Sequence, residues 1–283
     1  MQFVDFASGH GLMINQINDS GRIQRCGTQE HPKSLNGAYF FEGDRGWVYN
    51  WEHSTAVEWW NNPESKPWSQ QEKDAWRKHQ SANNEKREKE QQLVGVKAEQ
   101  LLSETELKSH NYFLYKGFPD EEGLVSGDEL LIPMRDFFTG KVNGVQRIYW
   151  VTQEMRYEKK MTYGMKAKGA VCWIGDKSQP EVFLCEGYAT GLSIYAALKS
   201  VGLRAAVLVC FSANNMVFIA KHSKSKAYVF ADNDKSGVGE AAAKSTGLPY
   251  LMSTTEGFDA NDHHRKYGLM KLVGMIMLAR MYT

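Results

Sequence analysis

Three acidic residues stand directly after apolar runs of the sequence, and their spacing suits metal-assisted phosphate chemistry. Glu186 follows the run VFLC, and Asp232 and Asp234 follow the run YVFA. Carboxylate oxygens are the ligands that Mg²⁺ prefers, and the ion neutralises phosphate charge and lowers the pKa of a bound water or hydroxyl. An isolated Asp-Asn-Asp segment is most often an ordinary surface turn. Two acidic positions that each end an apolar run favour a metal centre instead.

The segments around these acids predict a parallel sheet. From residue 180 onward, the apolar runs PEVFLC, RAAVLVC and SKAYVFA are each followed by a segment with helical character. The order β-α-β-α-β-α is typical of a parallel sheet with helices on both faces. Reactive groups gather at the carboxyl ends of such strands, so we expect Glu186, Asp232 and Asp234 to converge there.

Composition divides the 283 residues into five regions. Residues 1–62 are an aromatic-rich module with short β-like runs, and residues 63–108 are a helical linker rich in Glu, Lys and Gln. Residues 109–178 form a basic mixed subdomain, residues 179–268 hold the parallel sheet, and residues 269–283 form a C-terminal helix. The expected fold class is therefore α/β, or α+β for the chain as a whole.

The sequence contains no apolar run of about 18 residues, which predicts no membrane span. Its N-terminus, MQFVDFASGHGLM, lacks the features of a secretory signal. The four cysteines lie far apart without a CxxC pair, a pattern that favours reduced thiols and predicts no zinc site. We therefore expect a cytoplasmic protein.

Two aromatic-rich stretches are candidate nucleic-acid surfaces. From Arg135 to Lys168 the sequence has eight bases against three acids, with interleaved aromatics Tyr149, Trp150, Tyr157 and Tyr163. A lysine-rich surface hairpin and a track for a phosphate backbone with stacked bases both explain this pattern. The N-terminal module carries a second set, which either forms its core or stacks on template bases: Trp47, Tyr49, Trp51, Trp59 and Trp60.

Two strings resemble the signature motifs of the Toprim domain, which bacterial primases, topoisomerases and some nucleases share: EGYATGLSIYAAL and YVFADNDKSGVGEAAA. The segment TEGFDANDHHRKYG resembles a later primase segment that contains Asp-Pro-Asp. Upstream, HNYFLYKGFPD, LLIPMRDFFTGKVNGVQRI and KKMTYGMKAKGAVCWIG resemble the stretches that precede Toprim in replicative primases. The motif variants and GRIQRCGT are most similar to primases of phages and conjugative plasmids. The resemblance covers residues 110–268 well and residues 1–60 weakly.

This resemblance implies a DNA primase that makes short RNA primers on single-stranded DNA by metal-dependent nucleotidyl transfer. It makes residues 179–268 a Rossmann-like Toprim domain and residues 109–178 the primase-like subdomain before it. Glu186, Asp232 and Asp234 would be catalytic and, with Asp259, would hold Mg²⁺, with Mn²⁺ as the alternative ion. The residues implied to contact nucleic acid or nucleotide are Arg147, Lys160, Lys166, Lys168, Asn214, Asn215 and Lys235. The partners implied are the template, ribonucleoside triphosphates and a replicative helicase, in the host cytoplasm if a phage encodes the protein.

The sequence departs from the primase pattern at two positions. Thr190 stands where primases often have an aspartate four residues after the glutamate. The second aspartate of Asp-Pro-Asp falls on Asn261 with Asp262 beside it, which makes this pair secondary candidates. Two alternatives therefore stay open: a Toprim nuclease with the same metal centre, and a non-catalytic nucleic-acid-binding replication factor.

Overall fold

The chain divides into two units, Met1–Ser81 and Ala82–Thr283. The computed structural model describes residues 2–54, 56–65 and 69–281. Residues 66–68 of the predicted linker and residues 282–283 of the predicted C-terminal helix lie outside the described residues. The predicted α/β class is confirmed, because parallel strands with flanking helices occur together with an antiparallel N-terminal sheet.

An antiparallel sheet in the order β1-β2-β3-β4-β5 forms the first unit, with one short helix before it. The elements are α1 (Phe3–Gly9), β1 (Leu12–Met13), β2 (Gln24–Thr28), β3 (Gly37–Glu42), β4 (Arg45–Asn50) and β5 (Glu58–Asn61). Phe3 is the centre of the core and packs with Leu12, Tyr39, Val48 and Trp60. The Phe3 ring fits because residue 46 is glycine: a Cβ there would lie 2.5 Å from the ring.

The aromatic set of the N-terminal module divides between core and surface. Trp60 is buried in the core, whereas Trp51 and Trp59 are exposed by 47% and 61%. The guanidinium of Arg25 lies 3.9 Å from the centre of the Trp51 ring, and Tyr49 meets that ring edge to face. Core packing therefore accounts for Trp60 and does not account for Trp59.

One long helix, α2 (Gln70–Ser103), occupies most of the predicted linker. Its sequence is rich in the straight-chain residues that favour helices. Within the second unit, Ala98 packs against Val142 and Val145. Gly95 lets the helix approach this strand closely, because a Cβ at that position would lie 2.4 Å from the Val142 carbonyl oxygen.

A mixed sheet organises the second unit, with the described strands in the order β10-β9-β8-β11-β13-β12-β14-β15 and with β6 and β7 beyond β8. The strands are β6 (Glu106–Ser109), β7 (Glu122–Ser126), β8 (Glu129–Asp136), β9 (Val142–Val151), β10 (Arg156–Met161), β11 (Ala170–Ile174), β12 (Glu181–Cys185), β13 (Ala205–Val209), β14 (Lys226–Ala231) and β15 (Tyr250–Met252). Strands β12 to β15 are parallel to their neighbours in this group. Strand β11 joins them to β8 by antiparallel pairing on both sides.

Helices cover both faces of the parallel strands. The helices that follow α2 are α3 (Asn111–Lys116), α4 (Tyr188–Ser200), α5 (Ala213–Ala220), α6 (Val238–Thr246), α7 (Ala260–Tyr267) and α8 (Leu269–Met281). On one face, Phe183, Val207 and Phe230 pack against α4 and α8. On the other, alternate residues of the same strands pack against α5 and α6. In the described part of the chain, no helix combines the length and apolar character needed to cross a bilayer.

Candidate functional site

The predicted carboxylates lie at the carboxyl ends of two neighbouring parallel strands. Glu186 follows β12 and Asp232 follows β14, and the two strands are paired with Leu184 opposite Val229. Asp259 joins them from the N-cap of α7, and its charge acts on Asp232. Among the described residues these acids do not form a closed cage, since no three of their oxygens lie within 4.8 Å of one another.

Asp232 is the centre of this group. Burial and the charges of Asp259 and Glu186 together raise the pKa of its carboxyl to about 7, against the opposing charge of Lys159. Its Oδ1 atom is buried and has no hydrogen-bond partner among the described residues. A buried acceptor without a donor costs about 1–3 kcal/mol. A cation would satisfy this atom and remove the repulsion among the acids.

Glu186 and Asp234 lie in opposite electrostatic environments. Burial raises the pKa of Glu186 and the charge of Asp234 adds to this, against a hydrogen bond from the Ala213 backbone at the start of α5. For Asp234, burial raises the pKa but hydrogen bonds outweigh it, so that the pKa is lowered. Its donors are the Ser236 hydroxyl and backbone N–H groups that include Gly239, at 3.2 Å. Asp234 is thus held ionised by its loop, while Glu186 binds protons more readily.

Thr190, where the sequence departs from the primase pattern, makes a hydrogen bond to Asp259. The Thr190 hydroxyl donates to Oδ2 of Asp259 at 2.9 Å, and Oδ1 of Asp259 accepts from the Asp262 backbone at 2.8 Å. Both Asp259 oxygens are therefore oriented by donors on α4 and α7. Asp262 completes the capping box of α7 through the Asp259 backbone.

Asn261, the other departure, is part of the packing between helices. It is fully buried, and its amide donates to the Lys116 carbonyl at 2.9 Å and to the Ser193 hydroxyl at 3.1 Å. These contacts join α7 to α3 and α4. The Oδ1 atom of Asn261 is buried and has no hydrogen-bond partner among the described residues. A ligand role for Asn261 or Asp262 stays a prediction.

Sequence reasoning missed two residues beside the acids, Lys159 and Tyr112. The Lys159 side chain reaches solvent, yet many protein atoms surround its amino group. This burial and the charge of Lys116 lower the pKa of Lys159. The charges of Asp259, Asp232 and Asp262 act in the opposite direction and only partly offset that shift. Burial and the charge of Asp259 raise the pKa of Tyr112, whose hydroxyl oxygen is buried without a partner among the described residues. The alternation of side chains along β10 places Lys159 on the face toward α3, but the sequence does not show which face of β10 meets α3.

The predicted basic residues are mostly paired with acids. Arg147 contacts Glu129 at 2.7 Å and Lys160 contacts Glu158 at 3.3 Å, and the two bases are cross-strand neighbours. The other bases lie as follows: Lys166 is 3.4 Å from Asp136, Lys235 is 3.9 Å from Glu256, and Lys168 lies 4.8 Å from the Phe218 ring centre. Their binding of nucleic acid stays a prediction.

The two predicted asparagines differ sharply. Asn214 is exposed, whereas Asn215 is buried. Asn215 accepts from the Gly169 backbone at 2.7 Å and donates to the Ala170 and Cys210 carbonyls at 2.7 and 2.8 Å. Both amide donors are used, so this side chain joins the start of β11 to the end of β13 and has no donor left for a ligand.

A separate set of histidines and acids lies in the first unit. One ligand atom each from Glu30, His31 and Glu52 lies within 4.8 Å of the others. His31 contacts Glu52 at 2.7 Å and His53 contacts Glu30 at 2.8 Å. Because each imidazole already has a carboxylate partner, hydrogen bonding between these side chains accounts for the arrangement.

Comparison with known proteins identifies one domain. Residues 181–269 match the model of the Toprim domain. No curated protein is significantly similar in sequence. A solved structure of the catalytic core of DnaG is similar to 52% of this chain, with 16% sequence identity and a TM-score of 0.35. This region spans 52% of that structure, about half of its length.

Proposed function

We propose, from the Toprim domain that residues 181–269 form, that this protein is a DNA primase that synthesises short RNA primers on single-stranded DNA. One observation carries the proposal most directly. Asp232 presents a buried oxygen that has no partner in the described part of the chain, beside the other acids at the strand ends of this domain. The sequence resemblance of residues 110–268 to primases supplies the choice of reaction.

The donor set suits a hard divalent ion. Mg²⁺ takes one or two carboxylates and keeps several waters, so it does not require a closed protein cage. Asp232, Asp234, Asp259 and Glu186 would hold it, or Mn²⁺ in its place. When bound, the ion supplies neutralisation of phosphate charge and lowers the pKa of a hydroxyl in contact with it.

The side chains of this chain supply the remaining chemistry. Nucleotidyl transfer forms a bond between the 3′-oxygen of the primer and the α-phosphorus of the incoming nucleotide, and breaks the bond to pyrophosphate. Glu186 accepts the proton from the 3′-hydroxyl, a role that suits a carboxyl whose pKa is raised by burial. Lys159, whose charge interacts with Asp232 and Asp259, offers a positive charge to the phosphates. Pyrophosphate then leaves with its negative charge balanced.

Incubation with single-stranded DNA, Mg²⁺ and labelled ribonucleoside triphosphates tests this function. A primase yields short labelled products and leaves the template intact. Cleavage of the template without labelled products would instead establish the Toprim nuclease. Binding without either product would establish the non-catalytic factor. The Asp232→Asn variant, run in parallel, separates the reaction of this site from that of a contaminating enzyme.

Removing the hydroxyl that orients Asp259 should weaken the metal centre. Thr190→Val keeps the side-chain volume but cannot donate to Asp259, which accepts from Thr190 at 2.9 Å. We expect the Mg²⁺ concentration for half-maximal primer synthesis to rise by about tenfold or more, as for other residues that orient metal ligands. The Mg²⁺-induced rise in melting temperature should weaken in parallel.

Thr190→Ser is the matched control, because it keeps the hydroxyl. It should retain a nearly normal Mg²⁺ requirement. An unchanged Mg²⁺ requirement in Thr190→Val would show that this hydrogen bond does not serve metal binding.

A further inference from the structure

The hairpin of β9 and β10 has two chemically different faces. Its pairing places Trp150 opposite Tyr157 and Ile148 opposite Lys159 on one face, which we call the α3 face. The other face carries Tyr149 opposite Glu158 and Arg147 opposite Lys160. Side chains alternate along a strand, so neighbouring residues of one strand point to different faces.

Helix α3 covers the inner part of the α3 face. Ile148 is fully buried and packs with Tyr112 and Phe113 of that helix. This contact fixes which face of the hairpin points toward α3 and, through Tyr112, toward Asp259.

The outer part of the α3 face ends in exposed aromatic rings. Trp150 is 43% exposed and Tyr115 is 49% exposed. The indole of Trp150 meets Tyr157 at 5.0 Å and 69° and Tyr115 at 6.4 Å and 65°. Neither ring is stacked parallel to the indole. The neighbouring tyrosines therefore support the Trp150 ring at the surface without sandwiching it.

Cations that are not paired with acids surround these rings. Lys116 and Arg265 lie 5.6 and 5.7 Å from the centre of the Tyr115 ring, and Lys116 is close enough to lower the pKa of Lys159. Among the described residues, none of these three cations has a carboxylate within 4.0 Å. The opposite face differs, since Arg147 and Lys160 are each in contact with a glutamate.

The α3 face leads directly to the acids of the candidate site. Lys159 lies two residues beyond Tyr157 on β10, about 7 Å along the strand. Its charge interacts with Asp232, Asp259 and Asp262. Exposed rings lie beside cations that have no acid partner among the described residues, and this surface continues into a cluster of acids. Such a surface matches the chemistry of a strand whose bases stack and whose phosphates are bound.

We propose that single-stranded nucleic acid is bound on the α3 face of the hairpin, where Trp150 stacks on one base and Lys159, Lys116 and Arg265 contact the backbone. This inference rests on the proposed function and deepens it, because it assigns the strand to one face of the hairpin. It differs from the prediction drawn from sequence, which assigned Arg147 and Lys160 of the opposite face.

Adjacent residues of β9 give a matched test of stacking. Binding of a fluorescein-labelled oligothymidylate to the full-length protein is measured by anisotropy, in EDTA and without triphosphates. We expect Trp150→Leu to raise Kd about 5- to 150-fold, the range for loss of one base–aromatic stack. Trp150→Phe keeps a ring and should recover much of the affinity. Tyr149→Leu removes a ring from the opposite face and should raise Kd far less.

An abasic oligonucleotide separates stacking from an effect on folding. Loss of a stack on Trp150 predicts that wild-type protein and Trp150→Leu bind an abasic strand with equal affinity. If Trp150→Leu weakens binding of the abasic strand as strongly as binding of oligothymidylate, the stacking role is wrong. Melting temperatures of the variants identify any loss that comes from unfolding.

Adjacent residues of β10 test the phosphate contact. Lys159→Met should lower the slope of log Kd against log salt by about 0.7, the value for one phosphate contact on a single strand. Lys160→Met should leave that slope nearer to the wild-type value. A larger effect of Lys160→Met, or equal effects of the two substitutions, would overturn the assignment to the α3 face.

Oligothymidylate binding tests this inference, and primer synthesis tests the proposed function. Primer synthesis by the wild type, together with unchanged oligothymidylate binding by Trp150→Leu and Lys159→Met, would sink the inference and leave the proposed function. If Trp150→Leu and Lys159→Met lose binding while the wild type makes no primers, the inference would stand and the proposed function would fall. A wild-type protein that does not bind oligothymidylate would contradict both.

Discussion

Glu186→Gln and Asp232→Asn are each expected to reduce primer synthesis by about 10³-fold or more, while leaving the fold intact. Glutamine cannot accept the proton from the 3′-hydroxyl, and a general base contributes about 10²–10⁴-fold. Asparagine removes one negative charge from the acids that would hold the metal ion. The measurement is the rate of labelled primer formation at saturating Mg²⁺. Asp120→Asn removes an exposed carboxylate and serves as the control, with expected normal activity.

Near-normal activity of either variant would mean that the reaction takes place elsewhere. Binding of oligothymidylate adds a second readout. Neither substitution lies on the α3 face, so both variants should bind single strands at least as tightly as the wild type without metal. A parallel loss of binding and activity would indicate unfolding rather than loss of chemistry.

The same Asp232→Asn variant should be more stable than the wild type without metal, but only at neutral and alkaline pH. The pKa of Asp232 in the folded protein is about 7, above its ordinary value near 3.8. The unfolded chain therefore releases this proton first, and ionisation of Asp232 lowers the stability of the fold as pH rises from about 4 to about 7. Above that range we expect Asp232→Asn to gain on the order of 3 kcal/mol in the free energy of unfolding.

Urea unfolding in EDTA at several pH values measures this difference. Below pH of about 4 the two proteins should be equally stable, because Asp232 is then protonated in both states. Added Mg²⁺ should stabilise the wild type more than the variant, since a ligand that binds the folded state shifts the unfolding equilibrium. Equal stability of the wild type and Asp232→Asn at every pH would contradict the burial of the Asp232 carboxylate.

Asn215→Asp is expected to destabilise the protein by about 3–5 kcal/mol. The aspartate would lose the donors to the Ala170 and Cys210 carbonyls, which lie 2.7 and 2.8 Å from the amide nitrogen, and would place a negative charge next to them. Each buried acceptor left without a donor costs about 1–3 kcal/mol. The measurement is urea or thermal unfolding. At acid pH, where the new carboxyl becomes protonated, the variant should recover part of the lost stability.

Asn214→Asp is the matched control for that substitution. Asn214 is exposed in the first turn of α5, where a negative charge interacts favourably with the helix dipole. We expect its stability to be unchanged or slightly raised. A stable Asn215→Asp variant that has lost nucleotide binding would support the ligand role predicted from sequence.

The strand ends that carry the acids were predictable because they depend on local pattern. Each acid follows an apolar run, and parallel strands bring their carboxyl ends together. The class of the fold follows from the same alternation of strands and helices. These features require no knowledge of which distant residues meet.

The contacts of the site that the sequence did not predict depend on long-range pairing or on strand register. Lys159 and Lys160 are adjacent and chemically identical, and only the pairing of β10 with β9 and the position of α3 distinguish them. A shift of one residue reverses the face of every side chain on a strand. Asn215 meets a backbone segment 46 residues away, at Gly169, and Thr190 meets Asp259 across 69 residues. No local pattern encodes such pairs.

Strand β11 has a consequence for how this protein can be divided. It pairs with β13 on one side and with β8 on the other, and all five residues of β13 are buried. A cut between β11 and β12 would leave β13 as an exposed edge strand with unpaired backbone groups and an entirely apolar sequence. Such edges recruit other chains and promote aggregation. The acids of the Toprim domain and the hairpin of β9 and β10 are therefore best handled as one inseparable piece, in expression and in any transfer to another protein.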